Sequence, residues 1–178
     1  MIETERLILR GWREDDRALF HRLGNDPWTM RYLGPLRSQD DDDQAFDRQR
    51  GFLASHKTCA WLVERKADGA PLGVCGAKPA PAGLPIAGEM EILWRFAAEH
   101  QRQGYALEAA RASLSHVWAA TMAPRVVAIT VNANVASWTL MERLGMVRVR
   151  GGDFDHPFVP DDSPLKRHVL YRIARPVA

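Results

Sequence analysis

A strand, a glycine-containing turn and a helix follow one another between residues 87 and 120, and this succession constrains the fold more than any other feature. The segment EMEILWRF is apolar and typical of a strand, and a helix is predicted from about Gln103 to Ala120. The apolar side chains of that helix share one face: Ala106, Ala109, Ala110, Leu114 and Val117. The branched run RVVAITVN, residues 125–132, predicts a buried strand. This order implies a right-handed crossover between neighbouring parallel strands, and therefore a mixed α/β fold.

The remaining segments add strands and helices on both sides of this unit. Strands are predicted at 6–12, 59–66, 71–80, 146–154 and 167–174, and helices at 14–25, 40–56 and 134–145. The pair Asp68-Gly69 predicts a hairpin turn between the second and third of these strands. No repeat or linker divides the chain, so residues 1–178 are predicted to form a single domain of order β-α-α-β-β-β-α-β-α-β-β.

Charge and cysteine content exclude several classes of function. The 24 basic and 22 acidic residues leave a formal charge of +2, which gives no argument for nucleic acid or a membrane surface as a partner. The two cysteines, Cys59 and Cys75, are too few for a disulfide framework and lack metal-ligand spacing. The start MIETERLILRGW is too charged for a signal peptide, and no apolar run approaches the roughly 20 residues of a membrane helix. A cytoplasmic protein without a metal is therefore expected.

The turn HQRQGYA is suited to an anion. The first N–H groups of a helix have no partner within the helix and carry a partial positive charge, and Arg102 adds a full charge. No Lys-Ser/Thr pair follows the glycine as in a P-loop, and the pattern G-x-G-x-x-G of dinucleotide-binding folds is absent. The turn alone leaves two readings open, a phosphate site or an ordinary helix start.

Two separated motifs resemble the GNAT N-acetyltransferase superfamily. Gln101-x-x-Gly104-x-Ala106 matches the pyrophosphate signature of that family, and NVASWTLMERLGM resembles its second hallmark, Asn-x-x-Ser before a helix that ends in Glu-Arg-Leu-Gly. The segments IETERLILRGW and DPWTMRYLG resemble the RimJ/RimL-like branch of ribosomal-protein N-terminal acetyltransferases. The resemblance covers nearly the whole chain and implies a GNAT-like fold, in which the two central parallel strands of a mixed sheet splay apart.

The resemblance implies acetyl-CoA as the cofactor and assigns its contacts. Backbone N–H groups from Arg102 through Ala106 would hold the pyrophosphate, and the main chains of Trp94 and Phe96 would pair with the pantetheine arm. Asn134 would contact the cofactor, with Ser137 near its sulfur. The full set of expected cofactor-binding residues is Trp94, Phe96, Gln101, Arg102, Gln103, Gly104, Tyr105, Ala106, Asn134 and Ser137.

Two side chains are candidates for the acid–base chemistry of acetyl transfer to an amine. An amine must lose a proton before it attacks a thioester, and the alternation of EMEILWRF places Glu89 and Glu91 on one face, about 7 Å apart. The resemblance favours Glu91 as the base, directly or through a water, although both carboxylates could be surface acids. Met141 stands where many family members have a tyrosine acid. Ser137 is then the remaining donor to the leaving thiolate, unless it only caps its helix.

The identity of the amine acceptor is the least defined part of the predicted function. The resemblance places Trp28, Tyr32, Glu89 and His156 in acceptor-binding regions, and the aspartates of the loop after residue 152 would either attract a cationic amine or form turns. The leading interpretation is an N-acetyltransferase acting on a protein N-terminus or a small amine. A non-catalytic acyl-CoA-binding domain and a nucleotide-binding module are the alternatives. The resemblance is also compatible with a homodimer.

Overall fold

The computed structural model of the protein describes residues 1–177, which form a mixed sheet with helices on both faces. The strands are β1 (Ile2–Glu3), β2 (Leu7–Arg10), β3 (Ala60–Arg65), β4 (Pro71–Pro79), β5 (Met90–Phe96), β6 (Arg125–Val131), β7 (Val147–Arg148), β8 (Phe154–Asp155) and β9 (Arg167–Ala174). The helices are α1 (Arg17–Gly24), α2 (Pro27–Met30), α3 (Gln39–His56), α4 (Tyr105–Ala120) and α5 (Val135–Arg143). The sheet order is β1-β2-β3-β4-β5-β6-β9-β7, with β8 also paired to β9. In this part of the chain β5 and β6 form the parallel pair, which confirms the mixed α/β fold predicted from the sequence.

Each face of the sheet buries its own apolar cluster. α4 and α5 cover one face, where Ile92 and Phe96 of β5 pack with α4 residues such as Ala109. On the other face, Leu93 packs against a cluster that includes Phe46 of α3. β4 and β5 pair without interruption from Gly73 to Pro79, so the predicted alternation of β5 is confirmed. Among residues 1–177, no helix has both the length and the apolarity that a membrane span requires.

The structure differs from the predicted secondary structure at two segments. The predicted strand 146–154 is two short strands, because the chain turns at Gly151, whose φ of +70° lies in the left-handed region. Residues 26–37, for which no helix or strand was predicted, contain α2. Pro27 occupies the first position of α2, and the Asp26 carboxylate accepts the Thr29 N–H at 2.6 Å. Both differences arise from local turn chemistry, which the hydrophobic pattern does not report.

A serine cap is expected to contribute measurably to stability. The Ser38 hydroxyl accepts the Asp41 N–H at 3.1 Å at the start of α3. Replacing Ser38 by alanine should therefore lower the free energy of unfolding by about 1 kcal/mol, measured by urea denaturation. Ser115→Ala, at an exposed position within α4, is the matched control and should change stability by a few tenths of a kcal/mol at most. Equal effects of the two substitutions would contradict a capping role.

Candidate functional site

β5 and β6 run side by side only at their first residues and then part. Their parallel pairing ends at Glu91 and Val127. Beyond it, β5 continues along β4 to Phe96, and β6 continues along β9 to Val131. The structure thus contains the splayed pair that the resemblance implied, and the edge of β5 beyond Glu91 has no partner strand among residues 1–177.

Backbone groups of alternate β5 residues point into this opening. In an antiparallel pair, every second residue directs its N–H and C=O to the partner strand. The Ala97 N–H donates to the Leu72 carbonyl at 3.0 Å, so the odd-numbered residues of β5 bond to β4. The N–H and C=O groups of Ile92, Trp94 and Phe96 therefore face the opening. An extended ligand that carries amides could pair with this edge as an additional strand.

The turn beside the opening presents a row of unbonded N–H groups. Arg102 and Gly104 both adopt the left-handed region, with φ of +62° and +84°, and Gly104 precedes α4 without any side-chain cap. No backbone N–H from Arg102 to Leu107 donates a hydrogen bond to another group of the described chain. Six consecutive donors at the positive end of a 16-residue helix form a strong site for an anion.

Side chains around this turn fix its shape. Gln101 Nε2 donates to the Phe96 carbonyl at 2.9 Å, and Gln103 Nε2 donates to the Glu99 carbonyl at 2.8 Å. The Tyr105 ring is buried, with the Arg6 guanidinium 4.6 Å from its centroid. The Gln101 N–H is also engaged, with the carbonyl of Ala98. Gln101 thus supports the turn through both its side chain and its N–H, and its contact with a cofactor stays a prediction. Gln103 and Tyr105 keep their N–H groups for contacts with an anion.

The first turn of α5 borders the opening from the β6 side. Asn134 Nδ2 donates to Thr130 Oγ1 at 3.1 Å, and the Ser137 N–H bonds to the Asn134 carbonyl at 3.0 Å. The Ser137 hydroxyl makes no hydrogen bond within residues 1–177, so it does not cap the helix and remains available to a ligand. Met141, in the position of the missing tyrosine, is 1% exposed and belongs to the core.

The two candidate carboxylates have different surroundings. Glu89 uses both oxygens, on Arg125 Nε at 2.6 Å and on Arg172 Nη2 at 2.8 Å. Glu91 pairs through Oε2 alone with Lys78 Nζ, at 2.6 Å, and its Oε1 makes no hydrogen bond in the described part of the chain. Glu91 is also the last paired residue before the strands part. The free oxygen and this position favour Glu91 over Glu89 as the base.

A pair of histidines lies on the same side of the sheet as Glu91. The ring centroids of His156 and His168 are 4.8 Å apart, and the rings lie among Phe154 and Phe158. Burial lowers the pKa of both imidazoles, His168 lowers that of His156 further, and the nearby Glu91 carboxylate acts in the opposite direction on both. This pair was not predicted from the sequence. Alternation in RHVLYRIA, which places His168 on the face of Arg172, is the signal that could have found it.

The two histidines predict a decline of stability at mildly acidic pH. Because their folded pKa values lie below 6.5, the unfolded chain binds more protons below that pH, and the free energy of unfolding should fall as the pH is lowered from 6.5 to about 5. Urea denaturation at several pH values measures this slope. A His156→Gln, His168→Gln double variant should show a clearly shallower slope, and an unchanged slope would contradict the prediction.

Of the expected acceptor residues, Trp28 and Tyr32 lie together beside Arg31. Trp28 is 57% exposed, and the Arg31 guanidinium lies 4.0 Å from its ring and 4.8 Å from the ring of Tyr32. Three loop aspartates form ion pairs: Asp153 with Arg148, Asp155 with Arg167, and Asp161 with Lys166. These pairs reduce any attraction of the loop for a cationic amine. Within residues 1–177, no three His, Cys, Asp or Glu side chains are placed to hold a metal ion.

Comparison with known proteins agrees with this geometry. Residues 6–147 match the family model of the acetyltransferase (GNAT) domain. The uncharacterized protein YkkB of Bacillus subtilis (strain 168) is 32% identical over 144 residues, which cover 80% of this chain and 83% of YkkB.

Two solved structures share the fold. A spermidine N-acetyltransferase from Vibrio cholerae, in complex with CoA and spermine, has a TM-score of 0.76 at 18% identity, covering 97% of both chains. RimL, a ribosomal alpha-N-protein acetyltransferase in complex with coenzyme A, has a TM-score of 0.77 at 16% identity, covering 96% of this chain and 95% of its own. Because the family model spans most of the sequence and YkkB aligns over four fifths of it, this protein belongs to the GNAT acetyltransferase family.

Proposed function

We propose that the protein is an acetyl-CoA-dependent N-acetyltransferase of the RimJ/RimL-like branch, a single domain over residues 1–178, which transfers the acetyl group directly to a primary amine. The observation that carries this proposal is the opening between β5 and β6 beside the unbonded N–H groups of Arg102 to Leu107. The N–H row suits a pyrophosphate, and the edge at Trp94 and Phe96 suits the amides of a pantetheine arm. The turn and the adjacent strand edge thus suit two parts of one ligand, its pyrophosphate and its pantetheine arm.

The residues around the opening suit amine acetylation. When bound, acetyl-CoA supplies a thioester carbonyl that a neutral amine can attack. Glu91 Oε1 takes the proton of the amine, directly or through a water. Ser137 Oγ donates a hydrogen bond to the sulfur that leaves, and Asn134 lies one turn earlier on the same helix start. One backbone N–H near Trp94 or Phe96, not used by the pantetheine arm, would stabilise the negative charge that develops on the carbonyl oxygen.

A non-catalytic acyl-CoA-binding domain is the second candidate. It is favoured by Met141, a core side chain where the family commonly has a tyrosine acid. The unbonded Glu91 Oε1 and Ser137 hydroxyl favour catalysis, because a domain that only binds its ligand needs neither group. The acceptor is a peptide N-terminus or a small amine, since the two similar solved proteins act on these different classes.

Calorimetric titration with acetyl-CoA, CoA and ATP tests the proposal. Binding of both CoA species, with no comparable binding of ATP, is the expected result. A thiol-release assay with peptides and small amines then separates an enzyme from a binding domain. Absence of heat with either CoA species would refute the proposed function, whereas ATP binding alone would favour a nucleotide-binding module.

A further inference from the structure

Building on the proposed function, we propose that Arg95 binds a carboxylate of the acceptor, so that the natural substrate is an amine that also carries a carboxylate group, such as an amino acid. Arg95 lies on β5, four residues beyond Glu91 and between Trp94 and Phe96. It is therefore on the part of the strand whose edge has no partner.

The guanidinium of Arg95 lacks a matching acceptor within the described residues. Its Nε is buried and makes no hydrogen bond, and its Nη1 has only the Met30 sulfur, at 3.6 Å. A thioether is a weak acceptor. Arg95 also forms no ion pair with a carboxylate of residues 1–177. A partly buried cation with unused donors is costly for the free protein, and a carboxylate can satisfy it with two parallel hydrogen bonds.

The carboxylate of Asp42 is not free to serve this purpose. Asp42 is the carboxylate that acts on Arg95, and its oxygens are occupied by His21, Asn25 and Arg37. Burial, and to a smaller extent the neighbouring Arg37, lower the pKa of Arg95 to about 10, while Asp42 acts in the opposite direction. Arg95 therefore remains charged at neutral pH in a surrounding that favours an added negative charge.

The face of the sheet on which the Arg95 side chain lies indicates that it would contact the acceptor and not the cofactor. Its side chain alternates with that of Trp94 and lies on the face of Leu93 and Glu91, opposite α4. The N–H groups proposed for the pyrophosphate belong to the turn before α4. Phosphates held there and a carboxylate held by Arg95 would thus sit on different faces of the sheet.

The other charges on this face do not favour a polycation. The Glu91 carboxylate has Lys78. Glu89 is shared by two arginines. Each of these carboxylates thus has at least one basic partner, whereas Arg95 has no acidic partner in the described chain. An acceptor with a carboxylate would neutralise this excess, whereas a polyamine would add to it.

Matched acceptor pairs test the proposal. Each amino acid of a panel, including β-alanine and 4-aminobutyrate, is compared with its carboxamide by thiol release and by titration into the CoA complex. We expect at least one acid to have a kcat/KM about tenfold or more above that of its amide. Amine basicity would act the other way, because loss of the carboxylate makes an ammonium group easier to deprotonate.

Variants of Arg95 identify the group responsible. Arg95→Gln should raise KM for the acid about tenfold, bring the acid-to-amide ratio close to one, and leave the dissociation constant of CoA unchanged. Arg95→Lys keeps the charge and should retain part of the preference, and it serves if the first variant does not fold. Arg48→Gln removes the same charge from an exposed position of α3 and should leave the ratio unchanged.

Three outcomes would overturn the inference. The first is CoA binding with no acid that is bound or acetylated better than its amide. The second is an acid preference that persists in both Arg95 variants. The third is a loss of CoA affinity in Arg95→Gln, which would assign Arg95 to a phosphate of the cofactor. Absence of CoA binding in the unmodified protein is a different result. It would refute the proposed function, and this inference with it.

Discussion

Replacing Gly104 by tryptophan is expected to weaken acetyl-CoA binding by about a hundredfold or more, equivalent to about 2.7 kcal/mol. The φ of Gly104 is +84°, a region that a residue with a Cβ enters only at a cost. A Cβ at this position would lie 3.3 Å from Arg6 Nη2, and the indole would extend over the N–H groups proposed for the pyrophosphate. Both the shape of the turn and access to its donors should be lost. Calorimetric titration with acetyl-CoA measures the effect.

Gly88→Trp is the matched control for backbone strain. Gly88 has a φ of +85° and open space around its Cβ position, and it precedes β5, at the opposite end of the strand from the turn. The control carries the same substitution at the same φ, so it should bind acetyl-CoA with unchanged affinity if it folds. Similar affinities for the Gly104 and Gly88 variants would contradict the assignment of the pyrophosphate to this turn.

The order of β5, α4 and β6 could be predicted because each has its own period and because a glycine turn separates strand from helix. The faces of β5 followed from the same alternation, and the unbonded N–H groups followed from the position of Gly104 before a helix. These features depend on residues close together in the chain. Local patterns therefore predicted the strand, turn and helix of the candidate site and the N–H groups proposed for the pyrophosphate.

Contacts between distant segments could not be predicted in the same way. The pairing of Lys78 with Glu91 depends on the register of β4 and β5, which the loop between them does not reveal. His156 reaches His168 because the chain around Phe154 returns to pair with β9. The bond from Gln101 to the Phe96 carbonyl closes a turn whose dihedral angles the sequence does not specify. Each of these contacts gives a partner that the sequence did not identify to a residue that had been singled out in most cases.

Replacing Glu91 by glutamine is expected to lower kcat about a hundredfold or more, with little change in the affinity for acetyl-CoA. The substitution keeps the size of the side chain and removes its capacity to take a proton. Lys78 would lose its carboxylate partner at a partly buried position, so the free energy of unfolding must be measured alongside. Steady-state thiol release with the best acceptor, together with calorimetry of acetyl-CoA binding, separates loss of chemistry from loss of binding.

Glu89→Gln provides the decisive contrast, because it makes the same chemical change two residues away on the same face of β5. Glu89 has both oxygens on arginines, so its substitution should lower the free energy of unfolding by about 1–3 kcal/mol and leave kcat nearly unchanged. If Glu91 is the base, Glu91→Gln loses most of its kcat, whereas Glu89→Gln keeps its kcat and loses stability. A large loss of kcat in Glu89→Gln together with an active Glu91→Gln would instead assign the proton transfer to Glu89. If kcat falls in neither variant, neutral amines react without a carboxylate base, and catalysis depends on positioning at the open edge of β5.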